Sequence, residues 1–355
     1  MKDMQIGGVY IGSHHRPFII AEMSGNHNHS LERALEITEK AAASGVQALK
    51  LQTYTPDTLT LDIKTEQFML MEKDSLWKGE SLYELFKRAH TPWEWHKPIM
   101  ARAKELGIMC FSSPFDETAV EFLETLNVPA YKIASFEITH LPLIRAAAAT
   151  RKPLIMSTAM ASEEEIKEAV AEARKAGCID IVLLKCTSAY PAQAKDANIL
   201  TIPDMRKKFG CEVGLSDHTL GIGVATAAVA HGAVVVEKHF TLNRADGGPD
   251  AAFSLEPNEM KELVVETERA WQSLGHVSYG ATASEKASLQ ERRSLYIASD
   301  MKAGDVLTKG NLRCIRPSYG LPPKFYDVLL GKKVLRDVKK GTPVDWTLVD
   351  AKPTR

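Results

Sequence analysis

Histidines beside carboxylates lie at the ends of two short apolar segments of this chain. His218 follows CEVGLSD, and His239 lies within AVVVEKHF, the next apolar segment. Two imidazoles with nearby carboxylates suit a divalent cation, and nitrogen and oxygen donors leave Mn²⁺, Mg²⁺, Co²⁺ and Zn²⁺ open. His27, in the turn SGNHNHS, is a weaker third candidate. The pattern indicates a metal-dependent enzyme.

Lysines and serines end other apolar segments and could hold a small anion. Lys50 and Lys132 supply positive charge, which suits a phosphate ester when hydroxyl donors converge on it. The hydroxyl candidates are Ser113, Ser135, Ser157 and Ser216. The sequence has neither GxxxxGK[ST] nor GxGxxG, so it does not indicate a nucleotide. Glu22 and Glu137 remain for sugar hydroxyls or for proton transfer.

The apolar segments themselves have the pattern of strands in a parallel sheet, because they alternate with longer stretches of helical periodicity. They span residues 18–23, 48–54, 108–114, 130–135, 154–159, 181–188, 211–217 and 233–240. Eight such units in roughly 250 residues favour a (β/α)8 TIM barrel over an open doubly wound sheet. In these barrels catalytic residues lie at the C-terminal ends of the strands, where the polar residues occur here.

One connection is longer than the others. Residues 55–83 follow the second predicted strand and separate it from the third. Because they leave the C-terminal end of a strand, we expect them to cover the catalytic face as a lid or substrate loop. The alternative is a surface excursion without a function.

The C-terminal part of the chain has a different pattern. Residues 1–275 form the predicted barrel domain, and the small and polar residues of 276–291 predict a linker. Residues 292–355 show short apolar runs broken by the turn signals KAGD and KKGT, which predict a small β-rich domain.

Composition excludes several classes of partner. Lysine and arginine total 44 against 45 for aspartate and glutamate, so no basic excess is available for nucleic acid or an anionic membrane. The 5 cysteines include no CxxC pair, and no segment has the length of a membrane helix. We therefore expect a cytoplasmic enzyme that acts on small molecules.

Longer motifs connect these residues to a known family. The strings IAEMSGNHN, KLQTYTPDTLTL, CFSSPF, YKIASFE, LKCTSAYP, EVGLSDHT, VEKHFTL and GGPDAAFSLEP resemble the sialic acid synthases. The tail, with RRSLYIAS and IRPSYGLPPKFY, resembles their antifreeze-like (SAF) domain. Several strings are most similar to the branch that acts on a 2,4-diacetamido-2,4,6-trideoxy hexose. Ser188 stands where N-acetylneuraminate synthases more often have Asn, and His29 where the family often has Gly.

The resemblance implies a transferase that condenses phosphoenolpyruvate with an N-acetylated amino sugar and water, and that releases phosphate by C–O cleavage. It implies His218 and His239 as ligands of a divalent metal cation, with Mn²⁺ favoured over Mg²⁺ or Co²⁺. It places phosphoenolpyruvate against Lys50, Ser113, Lys132, Ser135, Ser157, Ser188 and Ser216. It places the sugar near Glu22, Gln52, Glu137, Tyr190 and Asp250, with Glu22 and Glu137 as the candidate catalytic carboxylates.

The resemblance further implies a domain-swapped homodimer, in which Arg316 reaches the barrel of the other subunit. Two alternatives remain open. A different metal-dependent barrel enzyme of the phosphoenolpyruvate or aldol type would share the lysines and the metal, and the small domain could be an independent binding module. Among the family's products, N-acetylneuraminate and legionaminate are the alternatives to the trideoxy branch.

Overall fold

Eight parallel strands close into a barrel within the part of the chain that the computed structural model describes, residues 4–71 and 77–350. A hairpin of β1 (Met4–Ile6) and β2 (Val9–Ile11) precedes it and buries Ile6 and Ile11 in the same core. The barrel strands are β3 (Phe18–Glu22), β4 (Ala48–Thr53), β5 (Met109–Pro114), β6 (Tyr131–Ile133), β7 (Leu154–Ser157), β8 (Ile181–Cys186), β9 (Glu212–Asp217) and β10 (Val235–His239). The predicted TIM barrel is therefore confirmed.

Helices follow the strands. They are α1 (Leu31–Ala43), α2 (Pro56–Leu59), α3 (Leu82–Ala89), α4 (Trp93–Glu105), α5 (Glu117–Thr125), α6 (Leu141–Ala149), α7 (Glu163–Lys175), α8 (Thr201–Phe209), α9 (Gly223–Ala230) and α10 (Pro257–Ser273). All but α2 and α3, which belong to the long connection after β4, cover the outside of the barrel. Their apolar faces pack on strands that are buried along most of their length, as in β3, where every residue is buried. Ser162 and Glu165 form a capping box that fixes the start of α7.

The chain divides into two compact units between Gly275 and His276. In the second unit, β11 (Ser294–Ile297) pairs with the antiparallel β12 (Leu312–Ile315), and α11 (Tyr326–Leu329) follows. Isolated bridges, such as that between Tyr296 and Pro343, extend the β structure. This unit has its own apolar core, which includes Leu295, Leu312, Leu329, Val344 and Leu348. No helix in residues 4–71 and 77–350 is long and apolar enough to cross a membrane.

Candidate active site

The C-terminal ends of the strands bring the predicted polar residues into one cluster inside the barrel. Parallel pairing places Glu22 of β3 opposite both Lys50 of β4 and His239 of β10. Farther along β4, Gln52 lies opposite Ser113 of β5. Since alternate residues of a strand share a face, Lys50 and Gln52 are on the same side of β4. The alternation of side chains along each strand and the pairing between strands together bring these residues into one site.

Two buried lysines stand among carboxylates at the centre of the cluster. The Nζ atom of Lys50 is 2.5 Å from Oε2 of Glu22 and 3.2 Å from Oγ of Ser113. The Nζ atom of Lys132 donates to the carbonyl of Ile133 at 3.0 Å. Both lysines also face Glu237, whose Oε1 lies 3.7 Å from Nζ of Lys50 and 3.9 Å from that of Lys132. Positive charge is thus held at the base of the mouth and balanced by carboxylates.

Glu237 was not among the predicted site residues, although its position in the sequence could have identified it. It lies two residues before His239 on β10, so the two side chains share the inner face of that strand. It also accepts a hydrogen bond from Oγ of Ser216 at 3.2 Å. Burial opposes its ionisation, but Lys132 and Lys50 hold the pKa of Glu237 below its usual value. An ionised Glu237 thus balances part of the positive charge of the two lysines.

The two predicted catalytic carboxylates, Glu22 and Glu137, both have raised pKa values. Burial raises the pKa of Glu22, against the opposing effect of Lys50. Burial also raises the pKa of Glu137 to about 7, and Lys132 offsets only part of this shift. A group that titrates near neutrality can both accept and donate a proton under working conditions. The pKa of Glu137 therefore meets this requirement for proton transfer.

The two predicted metal ligands are neighbours above this cluster. The ring centroids of His218 and His239 are 5.3 Å apart. Nδ1 of His218 must donate to the carbonyl of Thr187, 2.9 Å away, because a carbonyl only accepts, so Nε2 is the nitrogen that a metal would use. Burial opposes protonation of His218, but its contacts with Cys186 and Thr187 raise its pKa above the usual value, so a metal would have to displace a proton from it. Burial and His218 lower the pKa of His239 well below its usual value, so its imidazole is neutral, as a metal ligand must be.

The environment of these histidines fits a divalent cation. Within the described residues, the buried Nδ1 of His239 has no hydrogen-bond partner, and the nearest carboxylate oxygen, Oδ2 of Asp250, is 3.9 Å away. Imidazole nitrogens next to a carboxylate suit the nitrogen- and oxygen-preferring divalent metals, provided that His218 gives up its second proton when the cation binds. No group of three or more His, Cys, Asp or Glu side chains in residues 4–71 and 77–350 is arranged around a common metal position. The chain would therefore supply two imidazoles, and substrate or water the other ligands.

A line of hydrogen bonds runs from the lysine cluster to Asp250, the carboxylate beside His239. Nε2 of Gln52 donates to Oε1 of Glu22 at 3.0 Å and to Oγ of Ser24 at 3.1 Å. The Ser24 hydroxyl in turn donates to Asp250, whose pKa is raised by burial. The carboxylates on the predicted sugar side are thus held in fixed positions before any ligand binds.

The remaining predicted residues occupy several different places. Ser135 and Ser157 are buried at the exits of β6 and β7, where Oγ of Ser135 accepts from the backbone N–H of Ala159 at 3.3 Å. Ser188 and Tyr190 lie beyond the end of β8, and the Tyr190 ring centroid is 4.7 Å from that of His218. Arg316 belongs to the second unit, where it directly follows β12 and is exposed.

His27 does not belong to this site, and its prediction as a third metal ligand is wrong. Its Nε2 lies 3.1 Å from Oγ1 of Thr91, and its Nδ1 accepts from the backbone N–H of His29 at 3.2 Å. Both ring nitrogens are therefore occupied. Burial lowers the pKa of His27 to about 3, and its ring packs edge-on against Trp95. It is a structural histidine that joins the turn after β3 to the chain before α4.

The long connection after β4 crosses the mouth of the barrel. Its residue Trp77 donates from Nε1 to the carbonyl of Pro249 at 3.0 Å, beyond β10. Its ring centroid is also 5.9 Å from that of Tyr190, beyond β8. In the barrel order β8 is four strands from β4, on the opposite side. The connection thus spans the site, as expected of a lid, although its residues 72–76 lie outside the described part of the chain.

Comparison with known proteins assigns the chain to a family. It is 44% identical to a pseudaminic acid synthase of Campylobacter jejuni, over 95% of this chain and 97% of that protein, and 42% identical to one of Helicobacter pylori, over 92% and 96%. The solved structure of an N-acetylneuraminic acid synthetase from Leptospira borgpetersenii matches with a TM-score of 0.71 and 33% identity, covering 81% of this chain and 95% of that one. The NeuB family model matches residues 37–279, and the SAF domain model matches residues 292–350. This chain therefore belongs to the NeuB family and carries a C-terminal SAF domain.

Proposed function

We propose that this chain is a pseudaminic acid synthase. It would condense phosphoenolpyruvate with 2,4-diacetamido-2,4,6-trideoxy-β-L-altropyranose and water to give pseudaminic acid and phosphate. The observation that carries this proposal is the pair of buried lysines facing two histidines at the barrel mouth, in a chain that matches pseudaminic acid synthases over nearly its whole length. An anion site beside a carbonyl-activating site is the equipment that this condensation needs.

Phosphoenolpyruvate would bind at the lysine end of the mouth. Lys50 and Lys132 supply charge for its phosphate and carboxylate, and the strand ends supply hydroxyl donors. Ser157 supports this, because its buried Oγ has no hydrogen-bond partner among the described residues, and buried polar groups without partners are rare. The proposed hydroxyl contacts are Ser113, Ser135, Ser157, Ser188 and Ser216.

The sugar would bind at the histidine end, in its open-chain form. Gln52, Tyr190 and Asp250 would contact it, and Glu22 would hold Lys50 and Gln52 in place. His218 and His239 would hold a divalent cation, with Mn²⁺ as our first choice and Mg²⁺ or Co²⁺ as alternatives. When bound, that cation supplies Lewis acidity toward the sugar aldehyde.

The residues of the chain then handle charge and protons. The methylene carbon of phosphoenolpyruvate attacks the aldehyde carbon, and water adds to the carbon that bears the phosphate. Glu137, which titrates near neutrality, would take the proton that this water releases. Lys50 and Lys132 would stabilise the negative charge on the phosphate as its C–O bond breaks.

We also propose that the working unit is a homodimer in which the partner subunit's Arg316 completes the sugar site. Phe136, Met160 and Leu220, beyond the ends of β6, β7 and β9, are 62%, 66% and 65% exposed. Apolar side chains grouped on one face indicate an interaction surface. Arg316 is flanked by the exposed Ile315 and Tyr319. Their apolar side chains could pack against the exposed apolar residues at the barrel mouth of the other subunit.

A cytoplasmic location completes the proposal. The cysteines of the described chain, namely Cys110, Cys178, Cys186, Cys211 and Cys314, are free. Free thiols suit a reducing compartment.

A mass-resolved assay tests the proposal. The purified protein receives phosphoenolpyruvate, Mn²⁺ and one of several N-acetylated hexoses, which include the trideoxy altrose, its 2,4-diacetamido-2,4,6-trideoxy isomer with the D-manno configuration, and N-acetylmannosamine. We expect stoichiometric phosphate and a product with the mass of pseudaminic acid only from the trideoxy altrose, and no turnover after chelation. A neuraminate or legionaminate product, or phosphate release without any sugar, would refute it.

A further inference from the structure

Two aromatic rings stand against the two histidines of the mouth, and a third ring packs on one of them. The Phe253 ring centroid is 4.9 Å from that of His239, and the Tyr190 centroid is 4.7 Å from that of His218. Tyr190 and Phe253 are themselves 5.2 Å apart, and Trp77 extends the group beyond Tyr190 at 5.9 Å. We call Trp77, Tyr190 and Phe253 the aromatic wall.

The aromatic wall is built from three separate segments. Trp77 comes from the long connection after β4, Tyr190 from the loop after β8, and Phe253 from the chain beyond β10. Phe253 is 1% exposed, and Trp77 is fixed by its hydrogen bond to the Pro249 carbonyl. The wall is therefore held in place from both sides of the barrel and is not a single mobile side chain.

The wall differs chemically from the rest of the mouth. The indole N–H of Trp77 is used by Pro249, and Phe253 has no polar atom in its side chain, so the Tyr190 hydroxyl is the polar group that this surface offers. An acetamido group brings an amide N–H and a carbonyl, and both need hydrogen-bond partners when buried. A methyl carbon needs none. The wall thus suits a part of the sugar that lacks oxygen.

We propose that the aromatic wall receives the deoxygenated carbon 6 of the acceptor sugar, and that Trp77 determines the preference for a 6-deoxy over a 6-hydroxy substrate. This inference rests on the proposed function, because it assumes that the sugar lies at the histidine end. Tyr190 and Phe253 contact the imidazoles, and Trp77 packs on Tyr190, so the wall adjoins the proposed sugar position.

The test compares two sugars that differ only at carbon 6, the 2,4-diacetamido-2,4,6-trideoxy altrose and its 6-hydroxy counterpart. The kcat/KM of each is measured for the wild type, Trp77→Ala and Trp77→Gln. Trp271→Ala is the matched control. Nε1 of Trp271 also donates to a backbone carbonyl at 3.0 Å, that of Ser13. Ser13 precedes β3, at the opposite end of the barrel from the mouth.

We expect the wild type to prefer the 6-deoxy sugar by about 10²-fold, the discrimination that an apolar pocket achieves against an added hydroxyl. Trp77→Ala should reduce this ratio by about tenfold, because its kcat/KM for the 6-deoxy sugar falls. The KM for phosphoenolpyruvate should stay unchanged. Trp77→Gln should reduce it at least as much, and it decides the question if the alanine variant does not fold. Trp271→Ala should keep the wild-type ratio.

An unchanged ratio in the Trp77 variants, or an equal change in Trp271→Ala, would overturn the inference while leaving the proposed function intact. If the wild-type protein released no phosphate with either sugar, the proposed function would be refuted, and this inference with it.

Discussion

At the residue scale, burial gives each carboxylate of the mouth a different role. Glu237 stays ionised because two lysines face it, whereas Glu137 lies farther from compensating charge and its pKa rises to about 7. The same environment keeps His239 neutral. The pKa shifts of these three groups agree with the roles that we propose for them, namely charge balance for Glu237, proton transfer for Glu137 and metal ligation for His239.

The raised pKa of Glu137 predicts a specific pH dependence of turnover. A general base must be deprotonated, so wild-type kcat should fall as pH decreases through about 7. Glu137→Gln should lower kcat by about 10²- to 10⁴-fold and remove this limb of the profile, with little change in the KM for phosphoenolpyruvate. Steady-state kinetics between pH 5.5 and 9 measure it, at roughly half-unit steps. A retained acidic limb in Glu137→Gln would assign the proton transfer to another group.

The same shift makes an independent prediction about stability. Because folding raises the pKa of Glu137, its contribution to the free energy of unfolding is fully present below the ordinary glutamate pKa and is lost as pH rises through about 7. Glutamine stays neutral, so Glu137→Gln should be more stable than the wild type above neutrality, and the difference should disappear toward acid pH. Denaturant unfolding at several pH values measures it, and a pH-independent difference would contradict the assignment.

At the scale of elements, the strand ends that carry the histidines are joined behind the site. Lys238, which is 0% exposed, lies between Glu237 and His239 and points away from the mouth. Its Nζ is 2.7 Å from Oδ2 of Asp217 on β9 and donates to the carbonyl of Thr219 at 2.6 Å. The pair ties β9 to β10 directly beneath both imidazoles.

Removal of one partner of this pair should be costly. Lys238→Met leaves the Asp217 carboxylate buried without its cation, and such changes cost about 3–5 kcal/mol of unfolding free energy. Lys302→Met is the control, because Lys302 makes a similar 2.7 Å contact with Asp337 on an exposed surface, where ion pairs contribute little. Urea unfolding compares the two variants. Equal losses would show that the buried pair does not hold the strand ends.

The elements also show how far the sequence alone could lead. Eight apolar runs with polar ends were sufficient for the barrel and for the strands that carry Lys50, Lys132 and the histidines, because the strand period and the order of the units follow from local pattern. The position of the connection after β4 over the mouth was expected, but the contact that holds it there could not be predicted. The contact of Trp77 with Pro249 joins residues far apart in sequence, and no periodicity records it.

His27 illustrates the converse error. Its position after a strand suggested a third ligand, but the fold turns the ring toward Thr91 and Trp95, and no local pattern in the motif SGNHNHS indicates that direction. Strand ends identify residues near the mouth, whereas the direction of a side chain beyond the strand depends on tertiary packing.

At the scale of the whole molecule, we propose that two chains contribute to each site. The described barrel supplies lysines, carboxylates and histidines, and Arg316 belongs to the separate C-terminal unit. In a symmetric dimer an arginine exchanged between subunits would complete both sites at once.

Mixing of two inactive variants tests this exchange. Arg316→Ala and His239→Ala should each be nearly inactive toward the sugar. If the partner subunit's Arg316 completes each site, a mixed dimer contains one intact site, and random reassociation should restore about a quarter of the wild-type activity. Sugar-dependent phosphate release after co-refolding or co-expression measures it. Two variants that stay inactive when mixed would place the arginine in its own subunit's site.

The central claim is that the barrel mouth forms a carbon–carbon bond and expels phosphate by breaking a C–O bond. It is tested most directly with phosphoenolpyruvate that carries ¹⁸O in the oxygen between carbon and phosphorus. With the trideoxy altrose and Mn²⁺ present, we predict that the heavy oxygen leaves in the phosphate and that the sugar acid is unlabelled. Label retained in the sugar acid, or labelled phosphate released at the same rate without sugar, would contradict this account.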